Sequence, residues 1–456
     1  MKTASCETYL GQHPLQTAPK TVLGEIITIA GEKYYKISNY DLMPPFFMNI
    51  VSDSDLWMFI SSNGALTAGR GNPDNALFPY YPDDQIQDLQ ETTGSRTLVR
   101  VLKNGQAFLW EPFSSRYQGL YQTERNIYKN IAGNQVVFEE MNHDLKVSFQ
   151  YAWLNCDRFG FVRKSWITNN SPEPVTIHIL DGIQNILPAG LNRRFQADFS
   201  TLADAYKKNE LLTGTGLGLF TLSSIPTDTA EPSESLKATA VWSAGLNNAG
   251  VLLSSAQLEA FRCGLPLVPE RDIRAERGAY LLHAEFGLPP VRKSEWYIVA
   301  ELNRDHSDIV ALSDLIESNA NMPQLIKEEI KKSTEHLKTF VAESDGLQLT
   351  RDPLIMFRHF SNTLFNIMRG GIFNNNYIIS KNDLRAFVQT ANRPISKKYA
   401  SFIDGLPDQL NHYELLNRLS SPDPDFERLC REYLPLTFSR RHGDPTRPWN
   451  NFSIDI

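Results

Sequence analysis

The sequence predicts a large antiparallel β-sandwich followed by helices, and three observations predict it. From Val22 to about Asn303, short runs alternate apolar and polar residues, the period of a strand with one buried face. Clusters of Gly, Pro, Asn and Asp separate these runs, as tight turns require. After Ser313, apolar residues recur at helical spacing among lysines and glutamates, which marks amphipathic helices.

The runs EIITIAGEKYYKI, SRTLVRVL, QVVFEE, LKVSFQYAWL, FVRKSWITNN, VTIHILDGI and SEWYIVAEL read as strands in order. A short helix is expected near Arg193–Asn209, and a Pro/Ser/Thr/Glu-rich surface loop near Thr227–Leu236. In MPQLIKEEIKKSTEHLKTFVAES, Ile326, Ile330, Leu337 and Val341 form one apolar stripe of a linker helix. Further helices are expected around Pro353–Met368, Lys381–Gln389, Lys397–Asp404 and Pro424–Tyr433. With about 100–200 residues per domain, the 456 residues divide into a sandwich (1–312), a helical linker (313–345) and a helical segment (346–456).

Composition excludes several classes. The chain is 41% hydrophobic and 21% charged, a globular balance, and it has no apolar run long enough to span a bilayer. The N-terminus lacks the apolar stretch of a secretory signal, so no membrane association and a cytoplasmic location are expected. The formal charge of -7 argues against nucleic-acid binding, which rests on basic side chains displacing counterions. The surplus lies early, since residues 311–456 hold 18 basic and 18 acidic side chains, leaving 27 against 34 for residues 1–310. Cys6, Cys156, Cys263 and Cys430 form no C-x-x-C pair, so reduced thiols are expected. The histidines are not at metal-ligand spacing, so no metal is expected.

The stretch GALTAGRGNPDNALFPYYPDD, Gly64–Asp84, has no helical period and reads as a long connection between strands. Loops of this length usually carry function. Tyr80 and Tyr81 offer flat rings, and Arg70, Asn72, Asp74 and Asn75 offer directional donors and acceptors. A sugar needs that mixture, because its C–H faces stack on rings while its hydroxyls need hydrogen bonds. The same residues also suit plain turn formation, and that alternative stays open here. The acidic pairs Asp53/Asp55, Asp83/Asp84 and Glu139/Glu140 read as solvated charges and name no catalytic residue.

A resemblance adds to this reading. MPPFFMNIVSDSDLWMFISSNGALTAGRGNPDNALFPYYPDD, then TERNIYKNI, then FGFVRKSWITNNSPEPVTIHILDG resembles the N-terminal region of the cellobiose-phosphorylase class of glycoside phosphorylases, once grouped with glycosyltransferases. The resemblance is clear over residues 40–190 and extends by order of elements to about 345. It implies a galactose-mutarotase-like supersandwich, a helical linker and then an (α/α)6 barrel, whose start would fall in residues 346–456. The barrel carries the family's general-acid aspartate, and nothing here matches it; the chain is expected to stop before most of that barrel.

The resemblance also implies an oligosaccharide substrate, inorganic phosphate as co-substrate with no other cofactor, and a homodimer or a complementing barrel-bearing chain. Arg70, Asn72, Asp74, Asn75, Tyr80, Tyr81 and Arg125 become the candidate sugar contacts. The tail LPLTFSRRHGDPTRPWNNFSI gathers Arg440, Arg441, Arg447 and Trp449, suited to phosphate and sugar subsites. Two other readings remain: a non-catalytic carbohydrate-binding or assembly subunit, and a mutarotase-like epimerase using His283 and Glu285 on one strand face. A barrel segment cut short is expected to leave the face around Phe357, Phe360, Leu364 and Ile372 uncovered unless another chain covers it.

Overall fold

The computed structural model describes residues 7–16, 20–225, 235–319, 321–343, 352–368, 372–373, 378–419, 423–433 and 436–437. Their main body is an antiparallel sandwich, as predicted. An eleven-stranded sheet packs on a five-stranded sheet, and a four-stranded sheet joins the same core.

Alternation decides which side chains enter that core. In Val147–Cys156, Val147, Phe149, Tyr151 and Trp153 face inward, while Ala152, Leu154 and Cys156 face the other side. The five-stranded sheet answers with Val99, Val101, Ile177, Ile179, Ile183 and Leu282. Two-residue hairpins set the register: Ala30-Gly31 and Asn104-Gly105 all have positive φ, the geometry that matches strand twist.

One polar cluster bridges the sheets inside the core. Arg163, from the eleven-stranded sheet, and Asp181, from the five-stranded one, are fully buried. Arg163 Nη1 and Nη2 donate to the two Asp181 oxygens at 2.8 and 2.9 Å. Thr97 Oγ1 at 2.6 Å and Trp296 Nε1 at 2.8 Å donate to the same carboxylate. The Ser95, Ser165 and Thr97 hydroxyls accept the remaining three guanidinium hydrogens. Such saturation is what makes a buried charge pair tolerable.

The outer face of the large sheet is covered in part by helices His306–Ser318 and Met322–Glu343. The first helix starts at His306, ahead of the expected boundary at 313, because Asp305 and Asp308 form a reciprocal capping box. The Ile326, Ile330, Leu337 and Val341 stripe is buried as predicted. Helix Pro353–Met368 packs Phe360 and Leu364 against Leu337, Phe340, Val341 and Ala132. Phe357, Phe360 and Leu364 are therefore buried, not uncovered as the cut-barrel expectation had it; the side chain of Ile372 lies outside the described residues. Beyond them, Ile379, Leu384, Val388, Leu415, Phe426 and Cys430 close a separate small core, with the paired strands Ile378–Ser380 and Gln409–Asn411 on it.

Burial raises the thiols of Cys156 and Cys430 to about 12, which keeps both inert. No described helix is long and apolar enough to cross a membrane. The Thr227–Leu236 loop falls mostly outside the described residues.

Candidate functional site

Gly64–Asp84 is not one long loop. It contains strands Leu66–Arg70 and Ala76–Phe78 and runs into the short helix Asp83–Asp88. The strand LTAGR escapes the alternation rule because four of its five residues are buried, on both faces. Gly69 shows why: a Cβ there would come within 2.3 Å of the Asn75 carbonyl oxygen and 2.5 Å of Trp57 Cζ2. Only glycine permits that approach.

The tip of this hairpin belongs to architecture. Asn72 Oδ1 accepts from the Asp74 amide at 3.0 Å and from Asn75 Nδ2 at 3.3 Å, an Asx turn. Asn75 Oδ1 accepts from Asn303 Nδ2 at 2.8 Å, and Asp74 Oδ1 accepts from the Arg193 amide at 2.9 Å. Arg70 donates to Glu301 at 2.9 and 3.2 Å, and also to Asp55. Burial would lower its pKa, but Glu301 and then Asp55 and Asp157 outweigh burial and raise it, so the guanidinium is a fixed charge.

What faces outward is the pair of tyrosines. Tyr80, Tyr81 and Pro82 form one wall of an open groove of about 720 Å³, and Arg193, Arg194 and Asp198 of helix Arg193–Asp198 form the other. Tyr80 is held edge-on to the buried Trp57 ring, with centroids 5.4 Å apart. Tyr81 Oη accepts from Gln196 Nε2 at 3.3 Å. Two oriented rings, an arginine side chain 86% exposed at Arg194 whose Nε lies 3.5 Å from Asp198 Oδ2, and the carboxylate of Asp88 give stacking and hydrogen-bonding surface together. Of the seven candidate sugar contacts, Tyr80 and Tyr81 line this groove, and Arg70, Asn72, Asp74 and Asn75 brace the hairpin behind it.

Arg125 is elsewhere. Its Nε donates to Glu140 at 2.7 Å and its Nη2 to the Ser114 carbonyl at 2.8 Å. Glu140 also accepts from Trp110 Nε1 and the Phe113 amide, each at 2.7 Å. Burial opposes the Arg125 charge, and Glu140 more than restores it, so its pKa moves up. Glu139, on the opposite face of the same strand, accepts from Asn126 at 2.9 Å and Gln150 at 2.6 Å, and from the Tyr128 hydroxyl. Glu139, Glu140 and Asp53 are thus buried, which corrects their reading as solvated charges; a carboxylate inside a strand such as VVFEEMN needs partners, and these strands supply them.

His283 and Glu285 share a strand face as expected, but they engage different neighbours. Glu285 Oε2 lies 3.2 Å from His178 Nε2. His283 sits over Gly250, where a Cβ would fall 2.0 Å from its Nε2, and burial lowers its pKa. Arg440, Arg441, Arg447 and Trp449 lie outside the described residues. Among the described residues no group of three or more His, Cys, Asp or Glu could hold a metal ion. The groove wall at Arg193–Asp198 escaped the sequence reading because it lies far along the chain from Tyr80, and only the fold joins them.

Residues 373–435 match a family model drawn from carbohydrate-active enzymes. The model is the glycoside hydrolase family 149 insertion domain 1, and the matched segment coincides with the separate small core described above. No curated protein matches the sequence significantly. Among solved structures, the chain is similar to a bacterial glucoamylase complexed with acarbose, at 8% identity and TM-score 0.37, covering 88% of this chain and 54% of that one. A polysaccharide lyase shows 11% identity and TM-score 0.32 over 60% of this chain and 34% of its own. The 4-alpha-glucanotransferase from Thermococcus litoralis shows 9% identity and TM-score 0.23 over 62% and 40%. The chain spans 34% and 54% of the lengths of the first two of these structures.

Proposed function

We propose that this chain is the carbohydrate-facing part of a glycoside-phosphorylase-like or glycoside-hydrolase-like enzyme acting on β-glucosides in the cytoplasm. The observation that carries the reading is the match of residues 373–435 to an insertion domain of a glycoside hydrolase family. The groove beside Tyr80 and Tyr81 supports it with the ring-plus-polar chemistry that a sugar requires. Residues 373–435 then act as an inserted module, and helix Pro353–Met368 stands where the resemblance puts the entry to a barrel.

Inverting cleavage of a glycosidic bond needs an acid for the leaving oxygen and a nucleophile on the opposite face; in a phosphorylase that nucleophile is phosphate. The sandwich contributes binding and orientation. The general acid comes from barrel residues, within a longer protein or on a partner chain, and a homodimer fits the resemblance. A second reading is a carbohydrate-binding or assembly subunit without catalysis. It is favoured by the burial of Phe357, Phe360 and Leu364 within the chain itself.

Binding of cellotetraose and laminaritetraose to the 456-residue chain, together with sugar 1-phosphate release with and without phosphate, tests both readings. Binding without turnover is expected. Phosphate-dependent release by the chain alone would place the general acid within it, and no binding to either sugar would remove the carbohydrate reading.

A further inference from the structure

A second cavity, of about 820 Å³, lies between the N-terminal segment, the turn Tyr40–Leu42 and residues 110–125. Its volume falls in the ligand-site range of about 300–1,000 Å³, and no residue lines both it and the tyrosine groove. Three rings face it: Trp110, Tyr117 and Tyr121. Trp110 and Tyr121 are fixed, the indole by its bond to Glu140 and the phenol by donation to the Leu109 carbonyl at 2.8 Å.

Two polar groups on its wall have unused capacity. Asp41 Oδ1 is buried with no hydrogen-bond partner among the described residues, and Oδ2 lies 3.6 Å from Lys20 Nζ. Arg125 spends Nε and Nη2 on protein acceptors, which leaves Nη1 as a donor. A carboxylate oxygen removed from water calls for an O–H or N–H partner, and the guanidinium calls for an oxygen.

The charge balance selects the ligand class. Glu140 is paired with Arg125, and Glu111 with Arg96 and Arg262. That leaves Asp41 and Glu124 against Lys20 and His143, whose Nε2 lies 3.8 Å from Glu124 Oε2, so even with the imidazole charged the wall has no positive surplus to favour an anion. Flat rings, one unpaired acceptor, one spare donor and no positive surplus fit a neutral polyhydroxylated ligand.

We propose that this cavity binds a neutral oligosaccharide segment, separately from the groove, with residues 15–16 and 20–21 on one side. Gln16 N donates to the Gly119 carbonyl at 2.7 Å, and Leu15, Gln16, Lys20 and Thr21 line that side. The ligand class rests on the carbohydrate reading above; the site does not.

Calorimetry of the full chain with cellotetraose, laminaritetraose and maltotetraose is the test. Two binding events per chain are expected for at least one of these sugars. Asp41→Ala and Tyr117→Ala should each weaken one event about tenfold or more, while Tyr81→Ala weakens only the other. Tyr117→Ala decides the matter if Asp41→Ala fails to fold. Binding that ignores both cavity variants, or the absence of binding to all three sugars, overturns the proposal. Sugar binding abolished by inorganic phosphate at this cavity would make it an anion site and overturn it too. Loss of binding in the cavity variants with Tyr81→Ala unchanged supports the cavity and sinks the groove instead.

Discussion

Arg163–Asp181 and Arg125–Glu140 are the same chemistry in two settings. Both pair a guanidinium with a carboxylate inside the sandwich, and a tryptophan N–H donates to each carboxylate. In the first, neither side chain is exposed, and every guanidinium nitrogen finds a protein acceptor. In the second, the Arg125 side chain keeps 13% exposure and lines a cavity, and its Nη1 has no protein acceptor among the described residues. The first pair pins two sheets together. The second has the capacity to meet a ligand, so completeness of pairing separates a brace from a binding group better than burial does.

Breaking the sealed pair should have the largest effect. Asp181→Ala leaves a fully buried, uncompensated guanidinium, and a loss of about 3–5 kcal/mol is expected from urea unfolding. Replacing both partners, Arg163→Met with Asp181→Leu, should recover most of that loss; no recovery would mean the network itself, rather than the stranded charge, sets the cost. Glu140→Ala should cost less, about 2 kcal/mol, because water in the cavity can solvate Arg125. An equal loss in the two variants would erase the distinction drawn between them.

A surface cluster marks the weak end of the same scale. Burial alone would raise the Glu295 pKa, but Lys327, Lys164 and Lys293 depress it to about 2. A carboxylate depressed on folding contributes stability above its unfolded pKa and loses it as pH falls through the folded one. The contribution should therefore be present above about pH 4.5 and disappear toward pH 2. Solvent screening keeps it below about 1 kcal/mol. Urea midpoints of the parent and Glu295→Gln should differ at pH 7 and converge at low pH; parallel curves would contradict this. Smallest of all, Glu285→Gln should shift stability by less than about 0.5 kcal/mol. It should also leave anomer exchange unchanged, whereas loss of exchange would revive the epimerase alternative.

The strands were legible because a half-buried strand writes its geometry as alternation, as in VSFQYAWLNC. The stripe of Ile326, Ile330, Leu337 and Val341 made the linker helix legible for the analogous reason. Leu66–Arg70 was not, since a strand with four of its five residues buried leaves no period. Helix His306–Ser318 started earlier than expected because its cap uses aspartate at both capping-box positions. Tyr80 and Tyr81 could be singled out by residue type, but the roles of Arg70, Asn72 and Arg125 depended on Glu301, Asn75 and Glu140, partners that only folding brings near.

The hairpin Leu23–Ile29 with Glu32–Ser38 closes one end of the eleven-stranded sheet. Leu23 is 60% and Ile29 43% exposed on that terminal strand, and its outer edge has no partner strand among the described residues. An open edge of this kind is a template for pairing between molecules. The colloidal behaviour of concentrated preparations is therefore expected to respond to changes at this strand more than to the strength of the core. A lysine placed at Ile26 should act as a gatekeeper and raise the concentration at which the protein stays dispersed.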